Sequence, residues 1–111
     1  MAVGELEEIA ELYGTPALRA AAEQARGALE LADGEASTAV SRLASAQRLW
    51  QRSGVPYDAA RAGFILGEAY AALGDRDSFV LEVRSALVCF KRLGAGPEAK
   101  RVEDRMAAYV R

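Results

Sequence analysis

The chain has 111 residues, enough for one domain and too few for a catalytic domain with a regulatory one beside it. Hydrophobic residues reach 51%, carried by Ala and Leu, while aromatics make up only 7%, which favours helices and excludes a typical sandwich or barrel. With 14 basic and 16 acidic residues the net charge is −2, without the basic excess of a dedicated nucleic-acid binder.

In chain order the pattern predicts six helices, at 3–13, 16–32, 36–53, 57–73, 76–93 and 98–110. The first begins in MAVGELEEIAEL, an acidic start unlike a signal peptide. Thr15-Pro16 reads as an N-cap followed by proline at the first helical position, where its missing N–H costs nothing. Pro56 and Pro97 can serve in the same way. Asp33-Gly34 and Leu73-Gly74-Asp75 read as helix ends with a left-handed glycine, and Ser53-Gly54 and Leu93-Gly94 close the longer helices likewise. In the third helix Ala39, Val40, Leu43, Ala46, Leu49 and Trp50 form an apolar stripe; in the fifth Phe79, Val83, Ala86, Leu87 and Phe90 do. The fourth, with RAGFILGEAYAAL, is apolar around most of its girth, so alternate helices are expected to be the more buried. No apolar run approaches the roughly 20 residues that span a bilayer, and a cytoplasmic protein with no membrane partner is the expectation.

Shifting the chain by about forty residues superposes its punctuation. Gly27 and Gly34 fall on Gly67 and Gly74, and Gly14, Gly54 and Gly94 come into register, each followed by a proline. Trp50 falls on Phe90, Ala46 on Ala86, Arg52 on Arg92 and Arg61 on Arg101. One helical-repeat domain over 1–111 is therefore expected: a partial repeat at 3–13, repeats at 16–53 and 57–93, and a partial repeat or capping helix at 98–110. On that register the chain starts and stops within a repeat, the pattern expected of a segment of a longer array. Leu6, Ile9 and Leu12 near the start, and Val102, Met106, Tyr109 and Val110 near the end, would then be left uncovered. Covering them twice over in a symmetric dimer makes a homo-oligomer the expectation, with self-capping within a monomer as its competitor.

The run Ile65-Leu66-Gly67-Glu68-Ala69-Tyr70, then Gly74-Asp75 and Ala86-Leu87, resembles the tetratricopeptide repeat. Its steric logic lets Gly67 admit a close neighbouring helix while Tyr70 fills the gap beside it. Over nearly the whole chain, GALELADGEASTAVSRLASAQRLWQRSGVPYDAARAGFILGEAYAALGDRDSF is similar to the helical-repeat region of large bacterial LuxR-type transcriptional regulators, which join an ATP-binding module, a superhelical repeat region and a helix-turn-helix. The resemblance implies an all-α fold of antiparallel helix pairs stacked as a right-handed superhelix. It also implies that Arg61, Glu68, Arg101, Asp104 and Arg105 face a concave groove, together with Gln24 and Phe64, and that Ala28 and Ala71 leave room for a bound chain. The Lys/Asn clamp of some chaperone-binding relatives is missing, since the sequence has no Asn.

Catalysis has little support. There is no His, one Cys, and no phosphate-cradling G-x-x-x-x-G-K-[ST] loop. The acidic pairs Glu7-Glu8 and Asp75/Asp77 are expected on an exposed face and at a turn, without perturbing partners. Trp50 and Phe90 are expected to pack against the next helix pair, and Cys89 to be a small buried hydrophobe. The expected function is a protein-interaction scaffold in the regulatory or sensor segment of a signalling transcriptional regulator. Its groove would bind a peptide, a partner domain or another copy, with no enzyme activity, no cofactor or metal and no direct nucleic-acid contact. The alternative is a receptor whose apolar first helices enclose a small-molecule effector.

Overall fold

A computed structural model describes residues 15–109 together with Val3, Gly4 and Glu7. The helices are α1 (Pro16–Ala32), α2 (Ala36–Arg52), α3 (Pro56–Ala72), α4 (Arg76–Arg92) and α5 (Gly96–Tyr109), with no strand among the described residues. The helix expected over 3–13 lies outside them except for Val3, Gly4 and Glu7, each helical.

The course of the chain is set by four turns built alike. Gly34, Gly54, Gly74 and Gly94 have φ of 83°, 70°, 78° and 72°, the left-handed region that a Cβ disfavours. Each glycine N–H donates to the carbonyl three residues back, and the next N–H reaches five back: Glu35 to Glu30 at 2.8 Å, Val55 to Trp50 at 3.2 Å, Asp75 to Tyr70 at 2.9 Å, Ala95 to Phe90 at 2.8 Å. This double closure satisfies the orphan carbonyls of each helix end. The residue that completes it also starts the following helix, its own carbonyl accepting from Ala39, Ala59, Phe79 and Ala99 in turn. The glycines stand twenty residues apart, so each forty-residue sequence repeat consists of two equal backbone halves. Thr15 caps α1 by accepting from the Leu18 N–H at 3.2 Å, and Asp75 caps α4 by accepting from the Ser78 N–H at 3.1 Å. Helix α5 begins at Gly96, two residues earlier than expected, because the Ala95 carbonyl already takes the Ala99 N–H and Pro97 lacks only a donor the first turn cannot use.

The five helices pack in sequence, each antiparallel to the one before it. Ala39, Leu43, Leu66 and Ala69 form one cluster; Ala60, Phe79, Val83, Ala86, Phe90, Ala99 and Val102 form the other. Close approach is bought by glycine in both. A Cβ on Gly27 would lie 2.7 Å from Leu43 Cγ, and one on Gly67 would lie 2.7 Å from Val83 Cγ1. Burial does not alternate as expected. It peaks at α3, which buries Ala59, Ala60, Ala62, Gly63, Leu66, Gly67 and Ala69, while α1 buries Ala20, Ala22 and Gly27 and α5 only Ala99 and Val102. The small side chains of α3 let both neighbours come near. The radius of gyration of 13.7 Å is close to the about 13 Å of a compact chain of this length.

At the C-terminal end Val102 is 1% exposed, and Met106 and Tyr109 pack against the second cluster, with Tyr109 stacked on Phe79 at 4.2 Å. Val102 is therefore buried within the chain, and Met106 and Tyr109 are half-buried, less open than expected of an uncovered end; Leu6, Ile9, Leu12 and Val110 lie outside the described residues. Forty residues on from Ala60 and Gly63, which α4 approaches, α5 carries Lys100 and Glu103, both exposed. Among the described residues no helix is long and apolar enough to cross a membrane.

Candidate functional site

Helices α3 and α5 both rest on α4, and side chains bridge them at two levels. Near their N-termini the Tyr57 hydroxyl donates to the Glu98 carboxylate. Further along, Arg105 Nε donates to both oxygens of Glu68 at 2.8 and 3.0 Å, with the guanidinium 5.3 Å from the Phe79 ring centroid and 5.5 Å from that of Tyr109. A cleft of about 250 Å³ lies between the helices, lined by Tyr57, Arg61, Phe64, Phe90, Arg101 and Val102 among others. Phe90 is buried beneath it, and the Tyr57 ring meets Phe90 edge-on at 5.8 Å. The hydroxyl contact holds the Glu98 carboxyl below its usual range, aided by the backbone N–H of Glu98 and less by Arg101 and Arg61. The same bond holds the Tyr57 phenol above its usual value.

Of the residues expected in the groove, Arg61, Phe64 and Arg101 line this cleft. Arg61 is exposed, 4.0 Å from Asp58, and Arg101 is exposed with no ion pair among the described residues. Glu68 and Arg105 are engaged with each other and brace the helices instead of facing a ligand freely. Asp104 is exposed and paired with Lys100 at 3.2 Å. Gln24 stands apart on α1, where its side-chain oxygen accepts from Trp50 Nε1 at 2.7 Å. Tyr57 and Glu98 are not among the residues expected there. The repeat held a signal for them: Asp58 and Glu98 share a position in the forty-residue register, each with an arginine three residues later.

A second groove opens on the other side of α3, between α2 and α4, with a volume of about 340 Å³. Its floor is Ala59, Ala60, Gly63 and Ala86, and Gln47 and Cys89 stand on its walls. Gln47 Nε2 crosses Gly63 to donate to Glu82 at 3.3 Å, in space that a Cβ on Gly63 would take. Cys89 is half-buried, its thiol donating to the Pro56 carbonyl at 3.6 Å, and so is more open than expected.

Two acidic residues expected to lack perturbing partners have them. Asp75 accepts from the Ser78 hydroxyl at 2.7 Å as well as from its N–H, and both bonds hold its carboxyl below the usual range. Glu7 is ion-paired with Arg26, chiefly through a hydrogen bond that lowers Glu7 and raises Arg26. Among the described residues no His, Cys, Asp and Glu cluster could hold a metal ion. Comparison with protein-family models, curated proteins and solved structures gave no match.

Proposed function

We propose that the chain is a protein-interaction scaffold whose partner binds in the cleft between α3 and α5. The observation that carries this reading is the convergence of Arg61, Phe64 and Arg101 around the aromatic floor of Phe90. An apolar side chain of the partner sits on Phe64 and Phe90, while the two arginines at the rim meet its carboxylates or backbone carbonyls. The Glu68–Arg105 bond fixes the spacing of the two helices and so the width of the cleft. In this reading the helix pairs continue a right-handed, tetratricopeptide-like superhelix, and the segment serves a LuxR-type bacterial regulator by answering a peptide, a partner domain or another copy. No catalytic role, cofactor or small-molecule effector enters it.

The test is selection of binding peptides from a random library on the whole chain, followed by fluorescence anisotropy on the winners. Phe64→Ala and Arg101→Glu are each expected to weaken binding by about ten-fold or more. Winners indifferent to both substitutions would place recognition elsewhere and overturn the proposal.

A further inference from the structure

A different corner of the molecule carries charge that neither the fold nor the cleft uses. Because α1 and α2 are antiparallel, the beginning of α1 lies against the end of α2, and Arg19 comes beside Arg48 and Arg52. The three arginines, with Ser45, Leu49 and Gln51, line an open cleft of about 490 Å³, and among the described residues no carboxylate lines it. All three are exposed, and among the described residues none forms an ion pair, whereas Arg26, Arg42 and Arg105 each hold a glutamate.

Local energetics do not explain this grouping. Arg48 and Arg52 are four residues apart on one helix face, where like charges repel. Arg19 lies at the N-terminal end of α1, the positive end of its dipole, which disfavours a cation. Only Arg52, in the last turn of α2, suits its helix end. The repeat does not demand the charge at two of the three positions. Forty residues on, Arg19 becomes Ala59 and Arg48 becomes Val88, with the same backbone and the same turn, and Arg52 alone recurs, as Arg92. Each pair carries five basic residues, and the first gathers three of its five at this corner.

We infer that this corner binds a phosphate dianion, free or as a monoester. Guanidinium forks match phosphate oxygens in pairs, which an ammonium cannot do. Three arginines on two helices can surround one dianion, and the Ser45 hydroxyl and Gln51 amide add neutral donors at the edge. Confinement to one corner separates this site from a nucleic-acid surface, which needs basic residues spread along a backbone path. Leu49, 6% exposed, anchors the helix face that carries Arg48 and Arg52.

The experiment titrates the whole chain with inorganic phosphate, and separately with O-phosphoserine, at fixed ionic strength, reading backbone amide shifts and calorimetric heat. Saturable binding is expected, with the shifted amides at both helix ends and affinity rising from about pH 5.5 to about pH 8 as the phosphate gains its second charge. Arg19→Ala and Arg48→Ala should each weaken it by about ten-fold or more, while Arg84→Ala, on α4, leaves it unchanged. Tighter binding of phosphoserine would mark an esterified ligand, and tighter binding of inorganic phosphate the free ion; either supports the site. Absence of saturation, a response reproduced by chloride, or indifference to Arg48→Ala would overturn it.

Discussion

Where Arg42 of α2 holds Glu30 at 2.9 Å and reaches Glu23 at 3.8 Å, the pair α3–α4 has Glu82, Tyr70 and Gly63 at the corresponding positions. Where Arg26 pairs with Glu7, α3 places Leu66 in the core, and where Gln24 bonds Trp50, α3 turns Phe64 toward the cleft between α3 and α5. Yet the two pairs share 17-residue helices, the same left-handed glycine turns and the same glycine-mediated approach, Gly27 to Leu43 and Gly67 to Val83. The backbone course is thus carried by a few glycines, and the remaining positions are free to be filled by ion pairs or by apolar packing. The filling decides how strongly each pair is held.

The comparison is tested first where packing is densest. Phe79→Ala removes a ring that is 1% exposed and stacked on Tyr109, and should cost about 3–5 kcal/mol in denaturant unfolding. Leu43→Ala, in the first pair, should cost less within the range of about 2–5 kcal/mol, and a larger loss there would reverse the ranking of the pairs. Next is the shared approach. Gly67→Leu should cost about 1–3 kcal/mol, because Val83 is branched at Cβ and strongly prefers one rotamer in a helix. Gly27→Leu should lower the melting temperature less, since Leu43 can turn; an unchanged melting temperature for Gly67→Leu would end the close-approach argument.

Smaller effects separate the ionic pair from the apolar one. Arg42→Ala, with a side chain about one-third exposed, should cost at most about 1 kcal/mol, and the loss should shrink as salt is added. A loss insensitive to salt would mean that Arg42 acts by packing. The smallest effect is on the pH profile. Asp75 and Glu98 are held below their ordinary values of 3.8 and 4.5, so each favours the folded state above its ordinary value and gives this up as the pH falls through its folded one. Tyr57 is raised above 10.0, so its contribution is complete below that pH and is lost as the pH rises through the folded value. Asp75→Asn should flatten the acid limb of the melting-temperature profile, and Tyr57→Phe should flatten the alkaline limb. Unchanged limbs would show that these bonds do not contribute.

Helix positions and turns were legible because Gly and Pro act locally, on their own φ or on one missing N–H, and the tetratricopeptide resemblance implied the close contact at Gly67. The cleft was only half legible. That Arg61, Phe64 and Arg101 share one face was implied by the family resemblance. That Glu68 would be taken by Arg105, 37 residues away, or Gln24 by Trp50, depends on how neighbouring helices meet. The Asp75–Ser78 cap was readable from a three-residue spacing and was overlooked. The strong burial of α3 was readable from its apolar girth; that α1 and α5 would not share it was not, because periodicity measures the apolar width of a helix and not how closely its neighbours approach.

The turn recurring every twenty residues also governs how such a chain can lengthen. Duplication of a twenty-residue stretch would preserve every turn but transfer the downstream helices to the opposite side, placing α5-type residues where α4-type residues belong. A forty-residue duplication would keep both the turns and the sides. Growth or shortening of the gene by whole helix pairs is therefore compatible with the fold, whereas an odd number of helices exchanges the surface that holds Arg61 and Arg101 for the one that holds Gln47 and Cys89.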